Sequence, residues 1–170
     1  EPQPYPPMAW PTPYAAGNLV PNGDFGAASV AGWQRLGQSQ DSRPTNWSLL
    51  QDAGSGTYLA TNCGGPCTPG QSVLVDVPLR GVAAGAHFRF GARVATAVGS
   101  GAAELVVFQR DAAAAIIERD ALPVTATTAG ARLSSGAFTV QPGTTQLRLQ
   151  FYLNAPATFY LDDVWLAASP

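Results

Sequence analysis

Arg148, Gln150 and Tyr152 alternate with Leu147, Leu149, Phe151 and Leu153, and in an earlier stretch Arg89 and Arg93 stand opposite Phe88, Phe90, Ala92 and Val94. Guanidinium, amide and phenol groups hydrogen-bond hydroxylated partners, and aromatic rings take C–H faces. If the two stretches are neighbours, the five polar side chains share one surface, a pre-formed recognition site for a polar ligand. The plain alternative is a solvated sheet face on which arginine stems cover apolar neighbours. Reaction chemistry finds less support. His87 is the single histidine, and neither a nucleophile elbow nor a phosphate-cradling glycine loop is present. Asp162 and Asp163 are adjacent and, in a strand, point to opposite faces. Glu104, Glu118 and Asp120 remain as carboxyls for an acid–base pair, with nothing in their spacing that requires one. The expectation is a binding protein rather than an enzyme.

Strands must hold these side chains. The period-two alternation over Gln146–Leu153 predicts a strand with one face on a core, Asn154–Pro156 supply a turn, and a second apolar run follows over Phe159–Leu166. We read this stretch as a strand–turn–strand unit central to a sheet. Further strands are predicted over Thr57–Thr61, Ser72–Val77, His87–Thr96, Glu104–Arg110 and Ala137–Val140, with Asn18–Phe25 a short strand broken at Pro21. Apolar residues on both faces make Glu104–Arg110 a buried central strand. Ala112–Ala115 has no helix caps and reads as a loop into a strand. With 18 glycines and 15 prolines as punctuation, about eight to ten short strands argue for an all-β antiparallel sandwich of jelly-roll type. Trp33 and Trp47 read as core residues before cleft residues, and Trp165 lies on the face opposite Val164 and Leu166. The domain runs over residues 17–170. Residues 1–16 form an extended Pro-rich tail in which Tyr5, Trp10 and Tyr14 are interleaved, either a linker or a segment that docks through its aromatics.

Charge excludes some partners. The formal net charge is −2, 12% of residues are charged and all nine cations are arginine, so there is no basic field for nucleic acid. No apolar run is long enough to span a membrane. The chain begins at Glu1, as a processed secreted chain would. Cys63 and Cys67 sit in a CGGPC loop. Zinc wants four ligands and finds one histidine. A short-loop disulfide is favoured over a reduced pair, would contribute about 2 kcal/mol by loop closure, and places the protein outside the cell or at its surface.

The opening NLVPNGDF (Asn18–Phe25), the Gly32-Trp33 pair, the HFRFGARV stretch and the closing FYLDDVWL (Phe159–Leu166) resemble motifs of the family 4, 9 and 22 carbohydrate-binding modules. The resemblance implies a jelly-roll sandwich related to galactose-binding domains, with a polysaccharide or other glycan held on a concave sheet by Arg89, Arg93, Arg148, Gln150 and Tyr152. It also implies a structural calcium ion between the opening motif and the closing Asp pair, with Asp24 and Asp163 at the matching positions. Gly26 stands where those modules carry glutamate, and hydrogen bonding of Asp162 and Asp163 to turn backbone is the alternative. A second function competes with glycan binding. The same sandwich serves as a structural subunit of an extracellular assembly or filament if the tail docks on, or completes, a neighbouring copy.

Overall fold

Gly and Pro turns cut the chain into short extended segments, and alternation gives each segment an apolar face to bury. The computed structural model describes residues 17–36, 45–52, 56–129 and 132–169. Within them run β1 (Trp33–Leu36), β2 (Asn46–Asp52), β3 (Gly56–Asn62), β4 (Ser72–Pro78), β5 (His87–Thr96), β6 (Ser100–Arg110), β7 (Ile116–Thr127), β8 (Arg132–Thr139), β9 (Gln146–Leu153) and β10 (Phe159–Ala168). They form two five-stranded sheets, ordered β1-β4-β9-β6-β7 and β2-β3-β10-β5-β8. Every pairing among them is antiparallel. This is the predicted all-β sandwich.

The apolar faces meet in one continuous core. Leu147, Leu149, Phe151 and Leu153 of β9 oppose Phe90, Val94, Leu161 and Leu166 of the other sheet, all nearly or wholly buried. Phe151 meets Phe159 across the core with ring centroids 5.6 Å apart. At about 25 cal/mol per Å² of apolar area, interleaved faces of this kind supply the main driving force for folding.

The stretch over Gln146–Leu166 departs from its reading as a unit within one sheet. β9 lies between β4 and β6 of the first sheet, whereas β10 lies between β3 and β5 of the second. Both strands have strong apolar faces, and each takes a central place by facing the other. The residues between them therefore bridge the ~10 Å separating packed sheets, not the ~4.8 Å between hairpin strands.

The opening motif is not a regular strand either. Its residues run as turns along the part of β10 that β3 leaves free, since β3 pairs only with Phe159–Leu161. Leu19 N–H donates to Leu166 O at 2.8 Å and Val164 N–H to Gly23 O at 2.8 Å. The Asn18 side chain completes this seam, donating to Val164 O at 3.1 Å and accepting from Leu166 N–H at 3.0 Å. Pro21 explains why a side chain substitutes for ladder bonds here. Cys63 and Cys67 are joined in a disulfide that closes the loop between β3 and β4. Ala112–Ala115 form the expected loop, held by Asp111 Oδ1 accepting from Ala113 and Ala115 N–H, both at 2.9 Å.

Candidate functional site: the outer face of the β9 sheet

Alternation along β9 turns Arg148, Gln150 and Tyr152 away from the core. Register then decides their neighbours. Tyr152 stands between Ser72 and Glu104, Gln150 between Leu74 and Val106, and Arg148 between Asp76 and Phe108. The next strand brings Arg119 opposite Phe108. A shallow depression of about 180 Å³ opens here, lined by Phe108, Arg110, Ile116, Arg148, Gln150 and Tyr152 among others.

Its polar groups are held rather than loose. Arg148 grips Asp76 through Nε at 2.8 Å and Nη2 at 3.3 Å, a forked pair that fixes the guanidinium plane. Arg110 Nη1 lies 3.8 Å from the same carboxylate. Arg119 pairs with Glu104 and sits 5.9 Å over the Phe108 ring. Gln150, only 6% exposed, donates from Nε2 to Ser72 Oγ at 2.7 Å. Phe108 meets Tyr152 edge-on at 6.5 Å. Partial burial raises the Tyr152 phenol above its ordinary 10.0, with the Arg119 guanidinium pulling the other way and the Glu104 carboxylate adding to the rise. The phenol therefore stays protonated at neutral pH, able both to donate and to accept. Pairing uses two of the five N–H donors of Arg148 among the described contacts, and the others remain for a ligand. This is a shallow strip of paired charges with aromatic edges, suited to hydroxyl groups and C–H faces.

Phe108, Asp76, Glu104 and Arg119 were not among the residues expected on this surface. The signal for Phe108 was masked by its strand. Glu104–Arg110 reads as apolar on both faces, and β6 is indeed central, but its second face is this outer surface, on which Val106 and Phe108 are buried by flanking side chains.

Arg89 and Arg93 do not join the strip. β5 belongs to the second sheet, so both point away from the core on the opposite side of the molecule. Arg89 is exposed, while Arg93 is buried and forms an ion pair with Asp163, Nη1 to Oδ2 at 2.8 Å. The assumption that failed is that two polar strand faces of like pattern are neighbours. Alternation specifies a face and not a sheet.

The calcium expected between Asp24 and Asp163 finds a poor donor set. A register shift falls in β10 between Asp162 and Trp165, and Asp163 sits there with φ 48°. Its carboxylate is already paired with the buried Arg93 guanidinium, a fixed positive charge. Asp162 Oδ1 accepts from Asp163 N–H at 2.7 Å, as in the backbone-bonding alternative. Asp24 is exposed and accepts from Gly26 N–H at 2.9 Å. No group of three or more metal-ligating residues occurs among the described residues. These residues do not fit calcium, which wants six to eight oxygens.

Trp33 is buried, with its indole donating to Asn22 O at 3.1 Å, and Trp47 packs against the core with Arg35 5.5 Å over its ring. His87 is exposed, with Nδ1 3.0 Å from Thr139 Oγ1. Glu104 lies on the outer face, whereas Glu118 and Asp120 point inward around Gln109. The sheet therefore separates the first carboxyl from the other two. Tyr5, Trp10 and Tyr14 lie outside the described residues.

No family model and no curated protein matches the chain. Solved structures do. The CBM22-1–CBM22-2 tandem domain of Paenibacillus barcinonensis Xyn10C superposes with a TM-score of 0.70 at 17% identity, over 95% of this chain and 52% of that one. The CBM22-1 xylan-binding domain of the same protein gives 0.61 at 13% identity, over 89% of this chain and 91% of that one. The fold is that of a carbohydrate-binding module. The module fold also recurs inside larger proteins. The enzymatically active domain of bacteriophage CBA120 tailspike protein 4 matches with a TM-score of 0.63 at 14% identity, over 89% of this chain, which spans 21% of the tailspike chain. At these identities the likeness is one of fold, and the chemistry of this chain rests on its own side chains.

Proposed function

We propose that this chain is a non-catalytic module that binds a glycan on the outer face of the β1-β4-β9-β6-β7 sheet. One observation carries the reading. The central strand β9 lines up Arg148, Gln150 and Tyr152 beside Phe108, and Asp76 and Ser72 hold the first two in place. A polysaccharide chain lying along the strip would meet aromatic edges for its C–H faces and fixed donors for its hydroxyls, with little side-chain entropy left to lose. The name of one structural neighbour, a xylan-binding domain, makes xylan the first polymer to try. The Cys63–Cys67 disulfide supports an oxidising, extracellular or cell-surface location.

Affinity electrophoresis through gels containing xylan, mannan or mixed-linkage β-glucan tests this. The chain should be retarded by at least one polymer. Tyr152→Ala should weaken binding about tenfold, the equivalent of about 1.4 kcal/mol of ring contact. Arg148→Ala should do at least as much, and Arg89→Ala, on the far sheet, should change nothing. Retardation that survives both Tyr152→Ala and Arg148→Ala, or that Arg89→Ala abolishes, places the site elsewhere.

A further inference from the structure

The depression beside β9 has a charge bias that a neutral sugar does not call for. Its lining holds two guanidiniums, Arg110 and Arg148, with the Gln150 amide and the Tyr152 phenol and, among the described residues, no carboxylate. Along the outward strand positions of this sheet, Arg110, Arg119 and Arg148 stand against Asp76 and Glu104. Three cations against two anions leave the face with a positive excess, on a chain whose formal net charge is −2. Pairing shows where that excess sits. Glu104 is taken by Arg119 and Asp76 by Arg148, so Arg110 is the cation left without a carboxylate of its own.

Arg110 is nevertheless fixed in place. Its Nε donates to Ala114 O at 3.1 Å. Ala114 has φ 65°, a left-handed backbone that a residue with a side chain adopts at a cost. Asp111 Oδ1 holds the loop in that form by accepting from Ala113 and Ala115 N–H. Arg110 Nη1 lies 3.8 Å from Asp76 Oδ1, beyond hydrogen-bond reach, and its side chain is only 17% exposed. Its Nη hydrogens therefore face the depression with no acceptor among the described residues. Arg148 Nε binds the same Asp76 oxygen at 2.8 Å, so the two guanidiniums stand side by side. An oriented, partly desolvated guanidinium with an open fork is a seat for a planar anion. At about 180 Å³ the depression falls below the ~300–1,000 Å³ of pockets for drug-sized ligands, which suits one sugar unit of a chain. We propose that it takes the carboxylate of a uronic acid unit between Arg110 and Arg148, with the ring lying against the edges of Phe108 and Tyr152. This rests on the strip being the glycan site, and it names the class of polymer as an acidic, uronate-bearing polysaccharide.

Affinity electrophoresis with matched polymers tests it. Glucuronoxylan, polygalacturonate and alginate are each used before and after reduction of their carboxyls to alcohols, which keeps the backbone and removes the charge. The chain is itself net negative, so unspecific attraction to a polyanion works against retardation. At least one native polymer should bind about tenfold tighter than its reduced form, as expected of a charge-assisted contact, and added salt should narrow the gap. Arg110→Gln should bring that ratio close to one. A ratio that Arg110→Gln leaves unchanged, with the melting temperature of the variant intact, overturns the proposal. So does a ratio near one for all three polymers in the native chain. If Tyr152→Ala still weakens retardation by a neutral polymer in that case, the glycan site stands and only its uronate seat is lost; retardation by no polymer at all removes both. Should Arg110→Gln unfold the chain, the unaltered protein is treated with phenylglyoxal, an arginine reagent, and read by mass spectrometry. The native polymer should protect Arg110 several-fold and its reduced form should not, and equal modification with both overturns the seat.

Discussion

Gln109 shows how much one side chain organises. Wholly buried at the end of the core, it accepts from Gln141 N–H at 2.8 Å and from Thr144 Oγ1 at 3.0 Å. Its Nε2 faces three oxygens, Thr139 O at 2.9 Å, Glu118 Oε2 at 3.0 Å and Asp120 Oδ2 at 3.2 Å. Two hydrogens cannot serve three acceptors. Burial raises the Asp120 carboxyl above its ordinary 3.8, the Gln109 bond opposes this, and the nearby Glu118 charge adds to it. The folded chain thus keeps the Asp120 proton at pH values where the unfolded chain has lost it. The resulting stability is complete below 3.8 and is lost as pH rises through the folded-state value. Asp120→Asn should therefore raise the melting temperature at pH 7 and leave it nearly unchanged at pH 3, as calorimetry would read. The Arg93–Asp163 pair makes a different prediction. Taking the guanidinium from beside a buried carboxylate is costly, so Arg93→Met should cost about 3 kcal/mol or more in urea unfolding. Because the guanidinium already neutralises that carboxylate, EDTA or added calcium should leave the melting temperature of the native chain unmoved.

At the scale of elements, β10 is the strand on which most depends. It pairs with β5 along its length, with β3 over its first residues, and with the opening motif beyond the irregularity at Asp163. Close approach makes Gly23 obligatory. A Cβ there would overlap the Val164 carbonyl oxygen, which is backbone and cannot rotate aside. Gly23→Ala should lower stability by about 2–3 kcal/mol, the cost of an overpacked contact, in equilibrium unfolding. Gly136 is similar in kind but softer. There a Cβ would press on the Phe90 ring, a side chain able to shift by some tenths of an ångström, and a smaller loss is expected.

For the whole molecule, the two outer sheet faces differ in character. One carries the open strip of paired arginines, glutamine and aromatics. The other has buried aromatic outward positions and an ion pair sealed beneath its surface. Reduction of Cys63–Cys67 tests how far the fold depends on its covalent link. The loop is short, so its loss should cost only about 2 kcal/mol, and the sandwich should remain folded in reductant with a lower urea midpoint.

Much of this was legible before any coordinates. Alternation identified the core faces of β5 and β9, because a strand's side-chain period is intrinsic to its backbone. Turn residues located most strand ends, and the spacing of Cys63 and Cys67 pointed to their link. The sequence also placed Arg148, Gln150 and Tyr152 together, since they share one strand. Tertiary structure alone decided which strands share a sheet. It sent β9 and β10 to opposite layers, carried Arg89 and Arg93 to the far side, and brought Phe108, Asp76 and Arg119 beside β9. The physical reason is that pairing partners in an antiparallel sandwich are distant in sequence and are selected by the global closure of two faces on one core. A local pattern specifies which way a side chain points, and only the closed core specifies what it meets.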